Sequence, residues 1–174
     1  MEIKKIPVIV GMKHILSLLA LVIFLGTQAQ ESTTFILVRH AEKAADDPRD
    51  PNLSEEGQQR AVALMNLLER SELTAIYSTP YKRTRNTVAP LAKKLNIEIT
   101  DYSPSDPKGL MSSLLEKHKG GTVLISGHSN TTPFLANVLL GEQKYEQYDD
   151  SDYGNILIIT VLASGKAGVI HLRY

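Results

Sequence analysis

TVLISGHSNTTPFLANVLL, residues 122 to 140, decides how this chain is read. A β-branched apolar run enters Gly127-His128-Ser129-Asn130-Thr131, and a helical pattern leaves it. That is nearly the G-x-S-x-G turn of a serine hydrolase, with Thr131 where the last Gly belongs. The fragment supports two chemistries. Either Ser129 is a nucleophile, or His128 and the turn form part of an anion pocket.

The serine reading has a supporting chain order. Asp149, Asp150 or Asp152 would orient His171, giving Ser, Asp, His in sequence. Only 45 residues follow Ser129, which is little room for the elements that deliver those partners. His171 sits in a terminal strand pattern, and the reading leaves Arg39, His40 and Arg83 without a role.

Working outward, strands alternate with helices. TTFILVR (33–39, with His40 following) is a short buried strand. Ser54 with Glu55 and Glu56 suits a helix start before the apolar face of Ala61, Leu64, Met65, Leu67 and Leu68. Residues 73–79 form a second strand. Pro80 fits the first turn of a helix to about Leu95, with Thr79 as its cap. Residues 97–100 are a third strand, and 103–118 hold a turn and a third helix. A fourth strand spans 122–126, and Thr132-Pro133 opens a fourth helix to about Leu140. Residues 155–161 and 167–174 read as a closing hairpin across 163–166. The pattern predicts an α/β, three-layer sandwich: a mainly parallel central sheet with helices on both faces. No internal repeat or linker divides it.

Ligands in such folds gather beyond the carboxyl ends of the strands. Three of those ends carry unusual groups: Arg39-His40, Ser78-Thr79-Pro80 leading to Arg83, and Gly127-His128. Arg presents a planar fork that matches phosphate oxygens. Gly127 would let the backbone approach a ligand, and the fourth helix aims free N–H groups at the same edge. A neutral imidazole is also a nucleophile toward phosphorus. The joint arrangement favours a phosphate, with Asn130 as a further contact.

These motifs resemble a known family. LVRHAEK (37–43) resembles the Arg-His signature of the histidine phosphatase superfamily, the phosphoglycerate-mutase-like fold. LSEEG (53–57) is similar to its Leu-[Ser/Thr]-x-x-Gly helix start. IYSTPYKRTRNT (76–87) resembles its Ser-x-Pro-x-x-Arg-Thr-x-x-Thr, and VLISGHSN its strand and second His. The match runs from about Phe35 to Tyr174, and its small single-domain form is similar to the short phosphohistidine phosphatases. The resemblance implies that His40 attacks phosphorus while Arg39, Arg83 and His128 hold the phosphoryl oxygens. It implies a metal-independent phosphomonoester hydrolase with no cofactor, acting on a small phosphorylated substrate or a phosphoprotein. A phosphate-binding module without catalysis is the alternative. The chain departs from the pattern in lacking a clear general acid. Asp106, Asp101 and Glu42 are the candidates, with Asp-Pro at 106–107 also a plain helix-start signal. The acidic pairs at 46–47 and 149–150 read as solvated loop charges. Without large insertions, the pocket is expected to be shallow and open.

Composition sets the remaining bounds. Basic and acidic side chains number 19 each, so no global charge points to nucleic acid. The absence of cysteine excludes disulfides, a thiolate nucleophile, Cys-ligated zinc and a Cys lipid anchor. Lys4, Lys5 and Lys13 precede an uncharged apolar run from Ile15 to Gly26, and Thr27 and Ala29 follow at the spacing of a cleavage site. Basic, apolar, small is the order of a secretory signal. The run is short for a spanning helix, which needs about 20 apolar residues. A signal peptide over 1–29 is therefore expected ahead of a histidine phosphatase domain over 30–174. Met12 offers a second start, and an uncleaved anchor is the alternative. Residues 1–29 hold three lysines and one glutamate, so the remainder carries sixteen basic and eighteen acidic side chains, net −2. The exported product is expected in the periplasm or medium, with no stable membrane insertion. Expressed in a Gram-negative cell, the protein should leave the cytoplasm with a new N-terminus near Gln30. N-terminal sequencing that finds residues 1–29 intact on a membrane-bound chain contradicts cleavage and favours the anchor.

Overall fold

The structure, a computed structural model, describes residues 32–174; the expected leader over 1–29 lies outside the described residues. Six strands form one sheet: β1 (Ser32–Arg39), β2 (Leu73–Ser78), β3 (Ile99–Asp101), β4 (Thr122–Gly127), β5 (Asn155–Leu162) and β6 (Ala167–Arg173), in the spatial order β3-β2-β4-β1-β5-β6. The first four are mutually parallel, while β5 runs antiparallel to β1 and β6 antiparallel to β5. Four helices cover it: α1 (Glu55–Leu68), α2 (Lys82–Leu95), α3 (Pro107–Lys117) and α4 (Thr131–Leu140).

Alternation along the central strands builds the three layers. Phe35 and Leu37 of β1 pack on one face with Met111 and Leu114 of α3 and Leu135 and Leu139 of α4. Ile36 and Val38 pack on the other with Leu64 of α1 and Val88 and Leu91 of α2. Successive side chains point to opposite faces, so a strand buried on both sides must be apolar throughout. β1, β4 and β5 obey this. β6, at the edge, does not, and leaves Ile170 and Leu172 exposed.

Several boundaries differ from the sequence reading for identifiable reasons. α2 begins at Lys82 with Tyr81 at its cap, so Pro80 precedes the helix and Thr79 does not cap it. Instead the N–H of Lys82 donates to the Asp50 carboxylate at 2.9 Å. β3 covers 99–101 rather than 97–100. Asn96 adopts a left-handed conformation at the end of α2, and the Ile97 N–H returns to the Ala92 carbonyl, which takes Ile97 out of the ladder. α4 begins at Thr131.

Gly57 ties α1 to the segment after β1. Ser54 caps the helix by accepting from the Gly57 N–H at 3.1 Å, and the Ser54 N–H donates to the Glu42 carbonyl at 2.9 Å. A Cβ on Gly57 would overlap that carbonyl. Gly57→Ala should therefore destabilise by the usual cost of overpacking, about 1–3 kcal/mol, or roughly 3–10 °C in Tm. Val62→Ala, on the exposed side of the same helix, is the control and should change Tm little. A Gly57→Ala variant that melts with the wild type contradicts this packing.

Candidate active site

The carboxyl ends of β2, β4 and β1 lie side by side, because Ser78 pairs with Ser126 and Arg39 with Gly127. This register brings Arg39, His40, Arg83, His128, Ser129 and Asn130 to one open pocket of about 410 Å³. Tyr81, Lys43 and Asp150 also line it.

His40 is 4% exposed. Its N–H donates to the Gly127 carbonyl at 2.9 Å, and its Nδ1 lies 2.8 Å from the Ala41 carbonyl. A carbonyl accepts only, so Nδ1 carries the proton and Nε2 keeps its lone pair. Burial, aided by His128, Arg39 and Arg83 and opposed by the Ala41 bond, lowers the His40 pKa to about 3. The ring is thus neutral at physiological pH. The Ala41 N–H is held in turn by Thr87 Oγ1 at 2.9 Å, whose hydroxyl donates to the Arg83 carbonyl at 2.7 Å. That pair of bonds ties the nucleophile candidate to the first turns of α2.

His128 stands edge-on to His40, with ring centroids 5.4 Å apart. Its Nε2 is 2.9 Å from Thr79 Oγ1, which donates to Thr84 Oγ1 at 2.9 Å. Its Nδ1 accepts from Arg83 NH2 at 3.5 Å. The consistent assignment is a neutral ring protonated at Nε2. Burial first, then Arg83 and Arg39, lower its pKa to about 4.

The two arginines are held differently. Arg39 is 3% exposed and donates to the carbonyls of Asp149, Asp152 and Asp150 at 2.7, 2.9 and 3.1 Å. Its guanidinium also lies 4.2 Å from the Tyr153 ring centre and 3.6 Å from the Asp150 carboxylate. Most of its fork is therefore committed to the 149–152 loop. Nε remains buried and without a partner. Arg83 stacks over Tyr81 at 4.5 Å and pairs with Asp50 at 3.7 Å, and its Nε and NH1 make no hydrogen bond. Three buried guanidinium donors around one pocket lack an acceptor. Such groups are costly to leave unpaired, and a tetrahedral oxyanion satisfies them. The N–H groups of Ser129 and Asn130, at the start of α4, add donors with no partner.

Other expectations are corrected by the geometry. Ser129 Oγ bonds to no imidazole: His128 is engaged with Thr79, and His171 Nε2 is 2.9 Å from Asn155 Oδ1. The serine-hydrolase arrangement is absent. Gly127 makes room for hydroxyls rather than for a ligand. A Cβ there would fall 2.7 Å from Thr131 Oγ1 and 3.0 Å from Thr132 Oγ1. Thr131 replaces the last Gly of the elbow because its hydroxyl accepts from the His128 N–H at 2.8 Å. Each acid candidate has another duty. Asp101 pairs with Arg85, Asp106 caps α3 by accepting from Gly109 N–H at 3.0 Å, and Glu42 forms a fork with Arg60 at 2.5–2.9 Å. The acidic pairs lie in solvated loops as expected, and their segments also have structural roles. Asp46 and Asp47 fold the 46–52 loop onto itself, and the 149–152 carbonyls cage Arg39. Among the described residues, no group of three His, Cys, Asp or Glu is arranged to hold a metal ion, and no helix is long and apolar enough to cross a membrane.

Comparison with known proteins agrees with this arrangement. The family model of the histidine phosphatase superfamily (branch 1) matches residues 35–103, the stretch that carries Arg39, His40 and Arg83. Phosphoserine phosphatase 1 of Hydrogenobacter thermophilus is 41% identical over 70 residues, covering 37% of this chain and 33% of that relative. The match thus spans about a third of the relative's length. The phosphoserine phosphatase of Entamoeba histolytica, solved with 3-phosphoglyceric acid, superposes with a TM-score of 0.66 at 15% identity, over 82% of this chain and 97% of that one. The protein histidine phosphatase SixA, solved with tungstate, gives 0.65 at 17% identity, over 82% and 96%. Residues 35–103 thus match the model of the histidine phosphatase superfamily, and the fold is shared with these solved structures.

Two neutral histidines, His40 buried and His128 half-buried, make stability depend on pH. Unfolded, each takes up a proton near its ordinary value of 6.5; folded, they resist to about 3 and 4. Stability from this source is complete above pH 6.5 and is lost as pH falls toward those values. In a phosphate-free buffer, His40→Asn should lose less Tm than wild type between pH 7 and 4.5. Parallel Tm–pH curves contradict a buried, neutral His40.

Proposed function

We propose that the protein is a phosphatase: a metal-independent phosphomonoester hydrolase that works through a phospho-histidine on His40. The observation that carries this reading is the neutral His40 ring, with Nδ1–H fixed on the Ala41 carbonyl, set among three unpaired guanidinium donors. In the first step, His40 Nε2 attacks phosphorus, the phosphorus–oxygen bond to the leaving group breaks, and the leaving group departs with that electron pair. Arg83 and Arg39 Nε stabilise the charge spread over the phosphoryl oxygens, and His128, edge-on to His40, accepts from Arg83 and helps hold its guanidinium over the pocket. A water molecule then attacks the phospho-histidine, His40 Nε2 is released neutral, and inorganic phosphate leaves. The same residues in a phosphate-binding module without turnover would not need a neutral, oriented imidazole. Export from the cytoplasm belongs to this proposal too and is supported by the order of residues 1–29.

His40→Ala should abolish hydrolysis of an aryl phosphate, while Ser129→Ala keeps much of it. A live His40 variant beside a dead Ser129 variant restores the serine reading. Activity should survive excess EDTA; loss on chelation, restored by one divalent ion, counts against the mechanism. Arg83→Lys keeps charge but loses the fork. It should lower kcat on the order of 10²–10³-fold, the usual cost of one such donor, with Tm nearly unchanged. Near wild-type kcat for Arg83→Lys would show that Arg83 is no bidentate clamp.

A further inference from the structure

The pocket over His40 does not end at the phosphoryl site. A groove of about 660 Å³ opens beside it and shares Pro104, Asn130, Thr131 and Gln147 with it. One side is the first turn of α4, where Phe134 stays 43% exposed. The turn ahead of α3 and the 143–147 loop form the others. That loop is built rather than loose. Buried Asn137 donates to the Tyr145 carbonyl at 2.7 Å and to Gln143 Oε1 at 2.9 Å, and accepts from the N–H groups of Lys144 and Tyr145 at 3.0 and 2.9 Å.

The chemistry of the lining is specific. It offers prolines, Phe134 and Tyr145 as apolar surface, and it contains no Lys, Arg or His. Its one charged residue is Glu146, exposed and without an ion-pair partner. The nearby start of α3 has its positive end offset by the Asp106 cap. At the junction with the phosphoryl pocket, the side-chain amides of Asn130 and Gln147 make no hydrogen bond. The opposite flank differs. There a depression of about 410 Å³ shares only Lys43 and Arg83 with the phosphoryl pocket, and it is lined by three cations, Lys43, Arg49 and Arg83, against one carboxylate, Asp47.

Whatever is bonded to the phosphoryl group must lie in a space continuous with it. We propose that this groove receives the leaving group, and that it selects an apolar stem bearing a positive charge over one bearing a carboxylate. The inference rests on the phosphatase reading above.

The test uses two aryl phosphates of like size and similar leaving-group acidity, 4-(2-aminoethyl)phenyl phosphate and 4-(2-carboxyethyl)phenyl phosphate, at low ionic strength. One solvated charge pair is worth about 1 kcal/mol, so kcat/KM should favour the amine about fivefold. Glu146→Gln should bring the ratio toward one. Phe134→Ala should raise KM for both esters while the ratio persists. Equal rates, or a preference for the carboxylate, overturn the groove assignment and point to the Lys43 flank. If neither ester is hydrolysed, the phosphatase reading fails, and titration calorimetry of the same esters still reads the groove: equal affinity for the two overturns it.

Discussion

A buried guanidinium organises this molecule. Arg39 sits at the end of β1 with almost no contact with water, and a cation in that position needs acceptors. The chain supplies them by laying the 149–152 loop across the site, so that three carbonyls and the face of Tyr153 surround one charge. That loop leads into Gly154, whose φ of +81° and missing side chain let the Tyr174 carbonyl and Arg60 approach closely. Arg60 in turn grips Glu42, two residues beyond His40, and the Tyr174 carbonyl at 2.6 Å. The nucleophile segment, the first covering helix and the loop before β5 are thus braced against one another. The field of Arg39 and Arg83 acts with burial to keep both imidazoles neutral.

The sheet and its helices were legible in the sequence because the strands are buried on both faces and the helices carry strong apolar stripes. The four core positions were legible for a related reason: Arg39, His40, Arg83 and His128 all sit at or just past strand ends, where no packing role accounts for them. What was hidden works through the backbone or through hydroxyls. Asp149 and Asp150 were read as solvated loop charges, and their side chains are exposed, but a sequence does not display that their carbonyls, with that of Asp152, hold Arg39. Thr79 was read as a helix cap and Thr84 and Thr87 only as parts of a motif, yet they carry the bonds that orient His128 and Ala41. Their spacing was the available signal, since positions three apart on α2 share a face. Gly127 was read as an approach for a ligand because the threonines it accommodates are neighbours only once α4 packs back on β4.

Division of labour between the arginines follows from their partners. Arg39 is largely consumed by its cage and contributes one free donor, while Arg83 keeps two and rests on Tyr81. Arg83 is therefore the less committed of the two and Arg39 the more tightly held. Beyond them the surface changes character, with a cation-rich depression on the Lys43 flank and an apolar, amide-rich groove on the other. An open phosphoryl pocket with such unlike flanks can discriminate by the leaving group while treating the phosphate alike.

The central claim is that His40 Nε2 becomes covalently phosphorylated. The direct measurement is rapid quenching during turnover of an aryl phosphate carrying labelled phosphorus, under alkaline conditions that preserve phospho-histidine, followed by peptide mapping. The account predicts label on His40 that appears within the first turnover and is lost on acidification. Label on Ser129 that survives acid, or turnover with no labelled protein at any quench time, contradicts it.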